Sequence, residues 1–127
     1  MIYPINKIYT EVKNSVASLC KNTSRTFKST TKTLPFLYFK VLGNPSTFND
    51  LDNNENAIIL TIEIHVYTSG TNAMSQAEKI FKLANDKLFE LGFARTYGIE
   101  PIENAQDTTI TQLVARYRMT VCEGDFE

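Results

Sequence analysis

His65 is the only histidine among 127 residues. Histidine is the side chain best suited to move protons near neutrality, but as catalyst or ligand it needs partners. Its neighbours at two-residue spacing, Glu63 and Tyr67, do not make a metal set, so a histidine on the wetter face of a strand is the preferred reading. Asp50, Asp52 and Glu55 lie among asparagines and imitate a calcium loop. The EF-hand spacing, its glycine and its final glutamate are missing, and a solvated acidic loop is preferred. Cys20 and Cys122 are too distant in sequence for a CxxC motif. Two free thiols acting as small apolar residues are preferred, with a disulfide left open. GxSxG, HExxH and P-loop patterns are absent from the sequence. Phe36, Tyr38 and Phe39 could stack nucleic-acid bases, although core packing suits so apolar a stretch better. Arg116 and Arg118 share one strand face. They could touch phosphate or pair with Glu63 across a sheet, and the sequence leaves both open. The expectation is a protein without metal or cofactor and without enzymatic activity.

The elements that must carry these residues follow from hydrophobic period. Ile5, Ile8, Tyr9, Val12, Val16 and Leu19 form one helical stripe, which predicts a helix over 5–20. Residues 22–33 are rich in Thr and Ser and fit a short edge strand or a linker. "LPFLYFKVL" predicts a buried strand over 34–42, with Pro35 at its beginning or at an edge. Residues 43–56 are crowded with turn formers and read as a long loop. "AIILTIEIHVY" alternates strictly: Ile58, Leu60, Ile62, Ile64 and Val66 share a face opposite Thr61, Glu63 and His65, giving a strand over 57–67. Ser75 and Glu78 match a capping box ahead of Ala77, Ile80, Phe81, Ala84, Leu88 and Leu91. Gly92 supplies a stop, so the second helix spans 75–91. Residues 93–97 look extended, 99–108 read as a loop around Pro101, and 109–122 as a long strand. On that strand Leu113, Ala115, Tyr117, Met119 and Val121 oppose Gln112, Arg116, Arg118 and Thr120. Residues 123–127 are a polar tail. The expectation is one α+β domain, a mainly antiparallel sheet of four to five strands with two helices packed on one face.

Composition bounds the remaining classes. The length fits one domain, and 43% hydrophobic with 21% charged residues is ordinary globular usage. No apolar run approaches the ~20 residues that span a bilayer. The start lacks a basic segment followed by an apolar one, so a cytosolic protein is expected. The net charge of −1 hides a split. Residues 1–40 hold seven basic residues and one acid, a net +6; residues 41–127 hold six basic residues and thirteen acids, a net −7. Nucleic-acid binding by the basic part, head-to-tail self-association and two merely solvated surfaces all fit such a split.

Three stretches in order carry a resemblance. "LPFLYFKV" (34–41) precedes the acidic, asparagine-rich loop. "ENAIILTIEIHVYTSG" (55–70) precedes "SQAEKIFKLANDKLFELGFARTYG". "PIENAQDTTITQLVARYRMTV" (101–121) comes last. Together, over residues 34–122, they resemble the small tail-completion or minor capsid proteins of long-tailed phages of Gram-positive bacteria. Within that group the chain looks like a tail terminator. The resemblance implies a hexameric ring that caps the head-proximal end of the tail tube in the virion. It would end tail polymerisation and dock the head connector, with DNA passing through the lumen without sequence-specific binding. Implied partners are further copies of the chain, the tail-tube protein and a head-side connector or stopper, and no membrane. A head-completion or connector component of the head–tail joint is the alternative. Relatives imply an aromatic and a basic residue near positions 112–113, where this chain has Gln112 and Leu113. Lumen basic residues should be few, which weighs against a nucleic-acid role for the N-terminal lysines. The expected subunit or tube contacts are Arg95, Tyr97, Glu100, Glu103, Asp50, Asp52, Glu63, Arg116 and Arg118. Phe93 is expected beneath the helix end. Arg95 and Tyr97, if the strand alternates, share its side or lie near its rim as an interface anchor, while pairing of Arg95 with Glu100 or Glu103 stays open.

Overall fold

In the computed structural model the described residues are 2–26, 34–43, 46–49, 55–102, 109–122 and 124–126. The chain is α+β, with two helices and a mixed, mostly antiparallel sheet. Helix α1 (Ile5–Val16) buries Ile5, Ile8, Val12 and Val16, the expected stripe. It ends earlier than residue 20. The N–H groups of Leu19 and Cys20 donate to Val16 O in a closing turn. That turn carries Leu19 out to solvent and puts Cys20 in the core instead.

The strands are β1 (Asn22–Ser24), β2 (Phe36–Gly43), β3 (Ser46–Asn49), β4 (Glu55–Ser69), β5 (Ala94–Ile102) and β6 (Ile110–Cys122). Their order is β1-β2-β4-β6-β5, with β3 beside this path on β4. Only β1–β2 is parallel. Strand β1 answers the edge-strand expectation for 22–24; residues 27–33 lie outside the described residues. The loop expected over 43–56 is corrected by β3. Pairing of β2 with β4 stops at Gly43 and Thr61, leaving the start of β4 with open backbone groups. Strand β3 takes them up, Ser46 opposite Ile58, as buried backbone polar groups require.

Strand β4 is the spine. It pairs with β6 without a break from Ala57–Cys122 to Ser69–Ile110. Its even positions Ile58, Leu60, Ile62, Ile64 and Val66 are all fully buried. They join Leu37, Phe39, Leu113, Ala115, Tyr117 and the apolar residues of both helices in one cluster. Each such large side chain stabilises the fold by about 1.5–3 kcal/mol.

Helix α2 (Ala73–Leu91) begins two residues before the predicted start, and the expected capping box does not form: its N-cap is Asn72, without a side-chain cap. The junction is held instead by buried Thr68, whose Oγ1 donates to Ala73 O at 2.6 Å. The C-terminus is as expected, with Gly92 left-handed. Gly92 N–H reaches Phe89 O and Phe93 N–H reaches Leu88 O, the Schellman pattern. Phe93 is buried in the core, as expected beneath the helix end.

Strand β5 corrects two readings. It runs past residue 97 to Ile102, so Pro101 lies in a strand. An edge position tolerates the missing N–H of proline. Two bulges, between Arg95 and Tyr97 and between Gly98 and Glu100, break its alternation. Arg95 pairs opposite Tyr117, on the core-facing side of the sheet, whereas Tyr97 pairs opposite Arg116, on the other side. The expected sharing of one side by Arg95 and Tyr97 is therefore wrong.

Candidate functional site

Two arrangements gather the polar side chains. The first is a groove of about 650 Å³ between α2 and β5. Met74, Ile99, Pro101 and Leu113 give it apolar walls, and Glu78, Asn85 and Arg95 add polar groups. Arg95 Nη1 donates to Asn85 Oδ1 at 3.0 Å. The same oxygen accepts the hydroxyl of Tyr117 at 2.8 Å. Tyr117 is fully buried, and burial pushes its pKa up to about 12, so it stays a donor. Asn85 thus ties a core tyrosine to an exposed arginine. Tyr117→Phe is expected to cost about 1 kcal/mol, the usual net worth of one hydrogen bond. Urea titration should show a lowered midpoint with an unchanged slope.

The second arrangement crosses the opposite sheet face. Antiparallel register sets Lys40, Glu63 and Arg116 side by side on β2, β4 and β6. Glu63 Oε2 accepts from Arg116 Nε at 2.6 Å and Oε1 lies 2.5 Å from His65 Nε2. Gln112 Nε2 donates to His65 Nδ1 at 3.0 Å and to Tyr67 Oη at 3.1 Å. With Nδ1 accepting, the ring proton sits on Nε2 and goes to Glu63. Tyr38 and Tyr67 each stack with the imidazole, with centroids 5.7 and 6.2 Å away. The Arg116 guanidinium also lies 5.4 Å from the Tyr97 ring centroid. Burial pushes the Glu63 carboxyl up, but the hydrogen bonds from Arg116 and His65 outweigh it and hold it below the usual range. Burial, with Tyr38 and Glu63 adding to it, raises the Tyr67 hydroxyl.

This second cluster brings a carboxylate to the histidine, the partner that acid–base chemistry would need. Both ring nitrogens are already engaged, so neither is offered to a substrate. The site is a closed network that fixes four strands' side chains. Among the described residues no group of three His, Cys, Asp or Glu side chains could hold a metal ion, and both cysteines are free. Burial raises the Cys20 thiol, which hydrogen-bonds to backbone carbonyls.

The expected contact residues therefore divide. Arg95 lines the groove and its described bond goes to Asn85. Glu100 is exposed and pairs opposite Val114, on the other sheet face from Arg95. Tyr97, Arg116 and Glu63 are joined in the second cluster, and the guanidinium beside Tyr97 belongs to Arg116. Of the two open readings for Arg116, pairing with Glu63 is the one found. Arg118 is exposed, opposite Thr61 and Ala94. Asp50, Asp52 and Glu103 lie outside the described residues. Sequence reading missed Asn85, Tyr67 and Gln112. Alternation places Gln112 on the face of Arg116, but its bond to His65 spans 47 positions, which alternation cannot supply.

No helix among the described residues is long and apolar enough to cross a membrane. No family model matches the chain, and no curated protein matches it.

Proposed function

We propose that the chain is a structural protein of a phage tail, a terminator whose copies form a ring, six-membered by the resemblance, on the head-proximal end of the tail tube. The observation that carries this reading is the β5 margin. Strand β5 ends the sheet, and Tyr97, Ile99 and Ile102 on it, with Met74 beside it, are half of the eight exposed large apolar side chains among the described residues. Met74 and Ile99 border the groove on one face of this margin, and Tyr97 and Ile102 stand on the other; apolar side chains concentrated along one sheet edge mark an interaction surface, where singly scattered ones would not. The ordered resemblance over 34–122 and the opposed charges of the two chain parts support the same reading.

The mechanism is geometric. A tube grows because each ring exposes a surface that recruits the next. A terminator matches that surface on one side and presents a different one on the other. No bond is made or broken. The polar face with the exposed Arg116 and Arg118, Glu63 holding Arg116 from beneath, and the β5 margin would supply the two kinds of contact, to the head-side connector or the tube and between copies.

Native mass measurement and negative-stain imaging, with and without purified tail-tube protein, test this. Rings and capped tubes are expected. Arg95→Glu is expected to weaken ring or tube association at least tenfold, as loss of an arginine anchor does. A wild-type chain that stays monomeric and leaves tubes uncapped removes the reading. Deletion from a phage should give overlong, headless tails; normal tails with leaking heads would instead indicate a head-completion role.

A further inference from the structure

We propose that the α2–β5 groove is a socket for the 49–54 stretch of a neighbouring copy of this chain. The inference rests on the reading that copies associate head to tail. The groove's chemistry sets what fits. Its walls, Met74, Ile99, Pro101 and Leu113, are apolar and suit an apolar side chain from the occupant. Arg95 at the groove has its described hydrogen bond to a neutral amide and no carboxylate within ion-pair distance among the described residues. Covering that guanidinium calls for a carboxylate from the occupant. Glu78 and Lys82 also line the groove; Lys82 is paired with Asp86, and Glu78 disfavours a purely anionic occupant. Amide donors beside the carboxylate answer it.

The sequence Asn49-Asp50-Leu51-Asp52-Asn53-Asn54 has this mixture: one leucine between two aspartates, flanked by amides. The other large apolar residue between two acids, Phe126, packs against its own core and its carbonyl binds Lys7. The stretch cannot serve its own groove. It is tethered between Asn49 of β3 and Glu55 of β4, at the end of the sheet where Ala57 pairs with Cys122. Leu113 of the groove pairs with Val66, nine residues along, about 30 Å away at the rise of a strand. Five linking residues tied at both ends span far less. The groove also lies on the opposite side of β4 from β3. A donor anchored at Asn49 and Glu55 and a socket on the far side of β4 make a heterologous contact, which closes into rings when the rotation allows.

A labelled peptide of residues 48–55, Phe-Asn-Asp-Leu-Asp-Asn-Asn-Glu, titrated with the full chain and read by fluorescence anisotropy tests the socket. Saturable binding is expected. It should weaken at least tenfold with Arg95→Glu in the protein, or with Leu51→Ala in the peptide, and be unchanged by Lys40→Glu on the other sheet face. Absence of saturable binding, or binding indifferent to Arg95→Glu, overturns the proposal. In the full chain, native mass should show the assembled fraction lost with Arg95→Glu and regained when Asp50→Arg and Asp52→Arg are added. Rings and capped tubes that persist in Arg95→Glu overturn the socket and leave the tail reading standing. Peptide binding by a chain that never caps tubes supports the socket and removes the tail reading.

Discussion

Gly98→Ala is expected to destabilise the protein by about 3 kcal/mol or more, a loss in the severe range for one substitution. Gly98 has φ +86°, a conformation that costs an alanine about 1–2 kcal/mol. A Cβ there would collide with Val114 O and lie 2.9 Å from Ala115 Cα. Both are backbone atoms of β6, a strand paired on both sides, so neither can give way as a flexible side chain would. The clash adds to the dihedral cost. Gly70→Ala is the control. It has φ +103° and nothing within 4 Å of the added carbon, so only the dihedral cost of about 1–2 kcal/mol should appear. Chemical denaturation of both variants measures the difference, and equal losses would refute the steric account. Hydrogen exchange should show where the strain goes. Strand β5 pairs on one side only, so its amides, and with them the groove wall at Ile99, should lose protection before those of β4.

Glu63→Ala should cost about 2–3 kcal/mol, the range for a hydrogen bond to a charged group together with the orphaning of its partners. Glu63 itself is buried, and its removal leaves His65 Nε2–H without an acceptor. The half-exposed Arg116 can return to water, so most of the loss should come through His65 and the stacked tyrosines. Glu63→Gln keeps an acceptor for the imidazole and should cost about half as much. The network also predicts a pH dependence. The carboxyl of Glu63 is held below its ordinary value. A depressed folded-state value contributes stability that is fully present above the unfolded value, about 4.3, and is lost as pH falls through the folded one. The stability gap between wild type and Glu63→Gln should therefore narrow as pH falls through about 4. A gap that persists unchanged at pH 3 would show that the ion pair contributes nothing.

Legibility in the sequence depended on how local each signal was. Strand β4 could be read residue by residue because burial on one face imposes a period of two, and Ile58 through Val66 kept it without a fault. Helix α2 was legible for the same reason at a period of 3.6, and its stop at Gly92 because a left-handed residue is a local demand. Helix α1 was overextended because Leu19 continues the period, while the turn that ends the helix depends on Cys20 finding a place in the core. Strand β3 is invisible in a run of turn formers. It forms only because β2 leaves part of β4 unpaired. The candidate site was legible in pieces: Arg95, Tyr97, Glu63 and Arg116 stood out by type, but not who touches whom.

By itself the sequence determined the class of fold, the central strand, the long helix and its end, and the residues able to make charged or aromatic contacts. Periodicity and chirality act within a few residues, so one chain read in order contains them. Tertiary structure alone decided that Arg95 faces the α2 groove while Tyr97 turns to Arg116, since each bulge adds a residue and moves the next side chains to the other side of the sheet. It also decided that His65 is closed in by Glu63 and Gln112. The reason is register: which residue of β6 lies opposite which residue of β4 is set by the fit of whole faces against the core, and no local stretch holds that information.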